Sequence, residues 1–256
     1  MTVDEELWRA FNDIYFDEGP HTYTNSLGTQ FTSVTTLVGQ FGEKFDSNKV
    51  IDNMTKRAIE QHKPLPDRQK LIAEWKYSGD YAKLLGTEIH SVMENLWYHK
   101  NYTGRTELMS KYEGMQQDFE QRKIYCKKLY TKMSKMYVPI RNEFIVYDVD
   151  NAICGTIDML AYNTQKKCYS ILDWKTSKSF DTYSFNHETL KTPFESFEAC
   201  NVNEYSIQLS LYAWMIEKHT SLRIGEMTLF QIPKQGTVPV IVNCNDMRVY
   251  LNRILK

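Results

Sequence analysis

Apolar and polar positions follow two rhythms along this chain. Near the start, Leu7, Trp8, Phe11 and Ile14 recur at intervals of about three and four, which predicts an amphipathic helix within residues 1–16. A hairpin follows, with His21-Thr-Tyr23 and Thr29-Gln-Phe31 flanking a turn at Asn25-Ser-Leu-Gly28. Ser33 opens Ser-Val-Thr-Thr-Leu-Val, where a hydroxyl suits a helix N-cap. Residues 47–62 and 67–85 are charged and helix-prone, with Pro64 and Pro66 between them, and residues 86–98 and 115–136 read as two more helices. The middle changes to β-rich segments over residues 143–147, 152–162 and 167–176. Turn residues at Asp148-Val-Asp-Asn151 and Asn163-Thr-Gln165 separate them, so an antiparallel three-strand meander is predicted. A long helix over roughly 194–218, strands at 227–232 and 238–242, and a last helix over 247–256 complete the pattern. The expected fold class is α/β, a central mixed β-sheet flanked by helices. No linker or repeat divides it, so residues 1–256 are read as one domain, with 1–85 as a hairpin and helical N-terminal region and 86–256 as the core.

Composition narrows the function classes. Hydrophobic residues make up 42% and charged residues 25%, a globular balance that excludes low-complexity and collagen-like chains. The formal charge of −1 excludes a uniformly basic coat but leaves room for a local basic face. No apolar run approaches the roughly 20 residues of a membrane-spanning helix, and the acidic start lacks the pattern of a signal or transit peptide, so an intracellular, soluble, cytoplasmic protein is expected. The five cysteines, Cys126, Cys154, Cys168, Cys200 and Cys244, contain no C-x-x-C pair, which argues against a zinc knuckle or a disulfide framework. No G-x-x-x-x-G-K-[ST] loop is present, so neither ATP hydrolysis nor duplex unwinding is expected.

The chemistry gathers in Gly155-Thr-Ile-Asp158 and Ile171-Leu-Asp173-Trp-Lys175. Asp173 and Lys175 are two apart on a strand and share a face. Asp158 lies on the preceding strand. Two carboxylates from adjacent strands can converge on one hard cation, and Mg²⁺ keeps several waters, so few protein ligands suffice. A lysine beside them can orient a water and offset charge developing at phosphorus. The alternative is two hairpin carboxylates and a surface lysine.

G-x-x-D followed by D-x-K resembles the PD-(D/E)XK nuclease superfamily. Gly86-Thr-Glu-Ile-His90-Ser-Val-Met-Glu94 is similar to the G-x-x-x-H-x-x-x-E helix of its RecB-type branch, and Gln208-Leu-Ser-Leu-Tyr212 to that branch's Q-x-x-x-Y helix. Phe31-Thr-Ser33-Val-Thr-Thr-Leu37 looks like the opening segment of stand-alone single-strand DNA exonucleases, the mitochondrial genome maintenance exonuclease and phage relatives. The resemblance implies a restriction-endonuclease-like core and a DNA exonuclease dependent on Mg²⁺ or Mn²⁺, acting on single strands or free ends in recombination, repair or replication. It implies that Asp158, Asp173, His90 and the Trp174 carbonyl hold the metal and that Lys175 is the catalytic lysine. It makes Gln208 and Tyr212 braces of the core that approach the nucleic acid. Glu94, one helical turn from His90, orients it or a water. Glu143 is either a third carboxylate or a surface ion-pair partner. One related branch holds an iron–sulfur cluster on one early and three late cysteines; only Cys200 and Cys244 follow Lys175 here, so no cluster is expected. Stand-alone members are often phage-encoded.

Two segments are candidate DNA contacts. Residues 122–141 hold Arg122, Lys123, Lys127, Lys128, Lys132, Lys135 and Arg141 without an acidic residue, interleaved with Tyr125, Tyr130 and Tyr137. Basic groups there would track phosphates, and Tyr130 and its neighbours would stack on bases; the alternative is a solvated helix face with core-packed tyrosines. Residues 178–191, with Lys178, Phe180, Tyr183, Phe185 and His187, are expected to form a flap beside the site. Ser33 offers its hydroxyl to a terminal phosphate or serves as a plain cap. Two rival readings stand beside the exonuclease: an endonuclease acting on DNA or RNA, and a binding module that has lost turnover.

Overall fold

The computed structural model describes residues 2–17, 22–43, 45–184 and 187–256. His21 of the expected hairpin and Phe185 of the expected flap lie outside the described residues.

The meander forms as expected and is longer than its apolar runs. β4 (Tyr137–Asp148) pairs antiparallel with β5 (Ile153–Asn163), from Tyr137↔Asn163 to Asp148↔Ile153. The turn between them is fixed by Asp148, whose carboxylate accepts from the Asn151 backbone at 2.9 Å. β5 then pairs antiparallel with β6 (Cys168–Lys175), and Asn163 closes that turn by accepting from the backbones of Gln165 and Lys166 at 3.0 Å. β7 (Ile224–Gln231) lies parallel to β6 and β8 (Ile241–Asn243) antiparallel to β7. On the other side, β1 (Tyr15–Asp17), β2 (Thr22–Thr24) and β3 (Gln30–Ser33) form a small antiparallel ribbon. β3 joins the main sheet through parallel pairs Thr32↔Ile153 and Ser33↔Cys154. The order is β1-β2-β3-β5-β6-β7-β8, with β4 on the opposite edge of β5.

Helices cover both faces, which is why the central strands are apolar on both sides. On one face α7 (Asn201–His219) packs Ile207, Leu211 and Met215 against Ile157, Leu160, Ile171 and Leu229. α1 (Val3–Ala10), α2 (Val34–Val38) and α8 (Arg248–Leu251) add Leu7, Val34 and Leu251 to the same core. On the other face α4 (Arg68–Trp97) and α6 (Met115–Met133) enclose Met159, Leu172, Trp174 and Phe230. α3 (Ser47–Glu60) and α5 (Thr106–Met109) are peripheral. The mixed sheet with flanking helices and a helical N-terminal region is the expected class.

Several boundaries move. Residues 67–85 and 86–98 are one 30-residue helix, because Gly86 interrupts neither its hydrogen bonds nor its packing. α1 stops at Ala10, leaving Trp8 exposed and Tyr15–Asp17 free to add a strand. α7 starts at Asn201 instead of near 194, since residues 188–200 are occupied by a Thr189↔Glu198 bridge and by Phe194, which is fully buried. Val238 and Val240 are exposed and outside β8, and the last helix is a single turn.

Candidate active site

The site arises where the β5–β6 ladder stops. Its last pair is Met159↔Leu172, and one step beyond stand Asp158 and Asp173. Splaying two strands strips a backbone donor of its partner, and a buried donor without one is costly. Here the Trp174 N–H is taken up by Asp158 Oδ2 at 2.7 Å. Gly155 sets this geometry from below: a Cβ there would sit 2.6 Å from the Tyr212 ring, so only glycine lets α7 approach β5.

α4 delivers His90, whose Nδ1 lies 3.4 Å from Asp158 Oδ1 and 3.8 Å from Glu143 Oε1. Glu143 sits on β4 between the pairs Asn142↔Met159 and Phe144↔Ile157, opposite Asp158. Its φ of 45° is left-handed, a conformation that costs a non-glycine residue about 1–3 kcal/mol and persists where surroundings impose it. Ligand atoms of His90, Glu143 and Asp158 all lie within 4.8 Å of one another. Glu143 Oε1 is buried and accepts no hydrogen bond. An orphaned carboxylate oxygen facing an imidazole and a second carboxylate is a donor set for a divalent cation, so these residues fit one. Glu143, left open between a third carboxylate and an ion-pair partner, stands in the cluster with His90 and Asp158.

Asp173 and Lys175 form the adjoining half. The Lys175 ammonium lies 2.7 and 3.0 Å from the two Asp173 oxygens and 4.8 Å over the ring of Tyr205. Burial pushes Asp173 up, the Asp158 charge adds to this, and Lys175 only partly opposes it, leaving the group at about 6. Burial likewise raises Glu143, against the pull of His90. For Asp158 burial is outweighed by His90 and Lys175, which hold it below the usual carboxylate range. Burial works to lower His90 and Lys175, yet the carboxylates beside them raise both above their ordinary values. The lowered lysine pKa that a neighbouring cation would favour is therefore not what the chain's own groups produce.

The supporting residues divide. Gln208 Nε2 donates to the Tyr212 hydroxyl at 3.1 Å and Tyr212 is buried, so this pair braces β5 from within. Glu94 makes no hydrogen bond to His90 among the described residues; its charge instead raises Glu143. The Trp174 side chain fills the α4–α6 core against Phe230, which fixes the backbone between Asp173 and Lys175.

The expected DNA contacts fare less evenly. Ser33 is a helix cap: it accepts from the Thr36 backbone at 3.1 Å and its hydroxyl donates to the Thr36 side chain at 2.8 Å. Tyr130 packs its ring on Trp97 at 4.9 Å, and Tyr137 is buried with its hydroxyl donating to Glu226 at 3.1 Å, so these rings serve the core. Arg122 is buried in an ion pair with Asp118, and Arg141 pairs with Asp4, which removes two of the seven basic groups from any free patch. Lys128, Lys132 and Lys178 are exposed. Of residues 178–191, described ones on either side of 185–186 are tied to Glu198 and to the core. Glu198 accepts from the Ser184 backbone and contacts His187 Nδ1, both at 3.1 Å, and Phe180 packs on the core. Sequence reasoning passed over Tyr205, although it stands next to Glu204 on the helix that carries Gln208 and Tyr212.

Among the described residues no helix is long and apolar enough to cross a membrane. A profile of the PD-(D/E)XK nuclease superfamily matches residues 67–252. No curated protein matches the chain. Among solved structures, SSO0001 is 14% identical over 72% of this chain and 84% of that one, with a TM-score of 0.26, a likeness too slight to define a fold.

Proposed function

The chain belongs to the PD-(D/E)XK nuclease superfamily, and from that premise we propose that it is a divalent-metal-dependent deoxyribonuclease, an exonuclease working on single strands or free DNA ends in recombination, repair or replication. One observation carries the metal centre: His90, Glu143 and Asp158 converge at the β5–β6 splay with an unsatisfied carboxylate oxygen, beside the Asp173–Lys175 pair. The end preference rests on the resemblance of the Phe31–Leu37 segment and the RecB-type helices, and is the part the experiment below decides.

His90, Glu143 and Asp158 would hold Mg²⁺ or Mn²⁺, with Asp173 and the Trp174 carbonyl adjoining. Bound there, the ion supplies a more acidic water and Lewis-acid polarisation of a phosphate oxygen. Asp158 stays ionised because His90 and Lys175 flank it. Lys175 is held as a full cation by Asp173 and by the face of Tyr205, which aims its ammonium at the site. That cation positions the attacking water for in-line displacement and offsets the charge that grows on the phosphoryl oxygens. Tyr212 and Gln208 keep the β5 backbone where Asp158 needs it.

The test is a digestion panel with Mn²⁺, comparing linear single-stranded, circular single-stranded and linear duplex DNA, with Asp173→Ala alongside. Loss of the linear DNA, spared circles and no digestion by the variant are expected. Nicked circles would replace the exonuclease with an endonuclease, and a wild-type chain that cleaves none of the three would contradict the reading.

A further inference from the structure

The catalytic strand runs into a groove that none of the site residues uses. Immediately after Lys175, Thr176, Ser177 and Lys178 form one wall of a cavity of about 500 Å³, a size that takes a nucleotide. Its far wall is the N-terminal half of α4, including Tyr77. The cavity continues past Pro233 and Lys234 into a second hollow of about 270 Å³, which ends at Lys128 on α6. The first two hollows share Pro233, Lys234 and Thr237 and so form one open trough, whose near wall begins one residue beyond Lys175.

The charge of this trough is one-sided. Lys178, Lys234 and Lys128 are exposed, and among the described residues none of them is ion-paired. The carboxylate lining the first cavity, Asp118, is neutralised by Arg122 at 2.9 Å and accepts from Tyr81 at 3.1 Å. Arg122 in turn donates to the carbonyls of Thr176 and Ile232, so the floor of the trough is tied to the ends of the catalytic strand and its neighbour. Tyr77 is exposed, with its ring 5.2 Å from Tyr112 and its hydroxyl accepting from the Glu113 backbone at 3.1 Å. Free cations along a groove with an aromatic wall are the equipment for holding single-stranded nucleic acid.

We propose that this trough is the track of a single DNA strand passing from the active site, with Lys178, Lys234 and Lys128 on its phosphates and Tyr77 stacked on a base. The proposal rests on the nuclease reading and deepens it: it names single-stranded DNA as what the chain grips, and separates the gripping lysines from the other exposed lysines of α6. Lys132, one turn beyond Lys128, lies outside the trough.

The test is fluorescence-anisotropy binding of a labelled oligothymidylate to the full chain in EDTA, as a function of salt. Each lost phosphate contact lowers the slope of log K against log salt by about 0.7 for single strands. Lys128→Ala/Lys178→Ala/Lys234→Ala is expected to reduce the slope by about 2. Lys127→Ala/Lys132→Ala/Lys135→Ala, with the same change in charge, is expected to leave it unchanged. Tyr77→Ala should weaken binding about tenfold, with Tyr77→Phe restoring it. Equal losses in both triple variants, or an unchanged slope in the first, overturn the trough while wild-type cleavage stands. A wild-type chain that neither binds nor cleaves the strand overturns the functional reading beneath it.

Discussion

Two clusters of buried carboxylates lie in the same sheet and have opposite characters. At one end of β7, Glu226 is enclosed by Lys166 at 2.7 Å, Ser170 at 2.7 Å, Asn163 at 2.8 Å and Tyr137 at 3.1 Å. Burial would raise it, but these donors overcome that and hold it below the usual range. At the splay of β5 and β6, Asp173 is also buried and Glu143 half-buried, yet both are pushed up, and a Glu143 oxygen meets no donor. Burial of a carboxylate is thus no mark of function in itself. A saturated carboxylate is architecture; an unsatisfied one, kept beside others of the same sign, is a place for a cation. Asp148, bonded to Lys218 at 2.7 Å and His219 at 2.8 Å, falls in the first class.

The contrast breaks most sharply in activity. Asp158→Ala and Lys175→Ala are expected to lower cleavage of linear single-stranded DNA by about a thousandfold or more, whereas Glu226→Gln leaves the rate of the folded protein within a few-fold. Comparable losses in both clusters would erase the distinction. Stability should run the other way. Glu226→Ala removes the partner of Lys166 and of four hydrogen-bonding side chains, and is expected to cost about 2–4 kcal/mol in urea denaturation. Asp173→Asn, which removes a charge that Lys175 only partly offsets against burial, should cost less. Mn²⁺ should raise the melting temperature by the equivalent of about 2.7 kcal/mol at a hundred times its dissociation constant; Asp158→Ala should lose that shift and Glu226→Gln keep it.

The smallest effect is on pH. In EDTA, Glu226 and Asp148, held low, contribute stability that is present above the unfolded carboxylate pKa of about 4 and is lost as pH falls through their folded values. Asp173, at about 6, and Glu143 do the reverse: their buried charges cost stability at neutral pH, and protonation relieves it as pH falls towards the unfolded value. His90, raised by its neighbours, adds stability that is full below its unfolded pKa of about 6.5 and fades as pH rises through its folded one. The urea midpoint should therefore rise from pH 8 to pH 5 and fall below pH 4. A midpoint flat from pH 8 to 5 in wild type would contradict the raised values.

Much of this was legible in the chain. The strand boundaries follow from Asp148 and Asn163, turn formers with a clear mechanism, and counting back from the first turn sets Glu143 opposite Asp158. That Glu143 turns into the site was not legible, because a left-handed φ in a glutamate comes from tertiary contacts rather than propensity. The basic run showed its charge but not its orientation: Arg122 faces inward because two carbonyls at the strand ends need a donor. Tyr130 and Tyr137 could equally stack on bases or fill a core, and only the position of Trp97 and Glu226 decides. Lys175 was visible as a motif residue, whereas its seat on Tyr205 depends on how α7 crosses β6.

The most direct test of the unsatisfied cluster is a Mn²⁺ titration by calorimetry of the wild-type chain, Asp158→Ala and Glu143→Gln. Binding to the wild type, a loss of about 10–100-fold in affinity for Glu143→Gln and no measurable binding to Asp158→Ala are expected. Equal affinity in all three proteins would place the metal elsewhere and contradict the account.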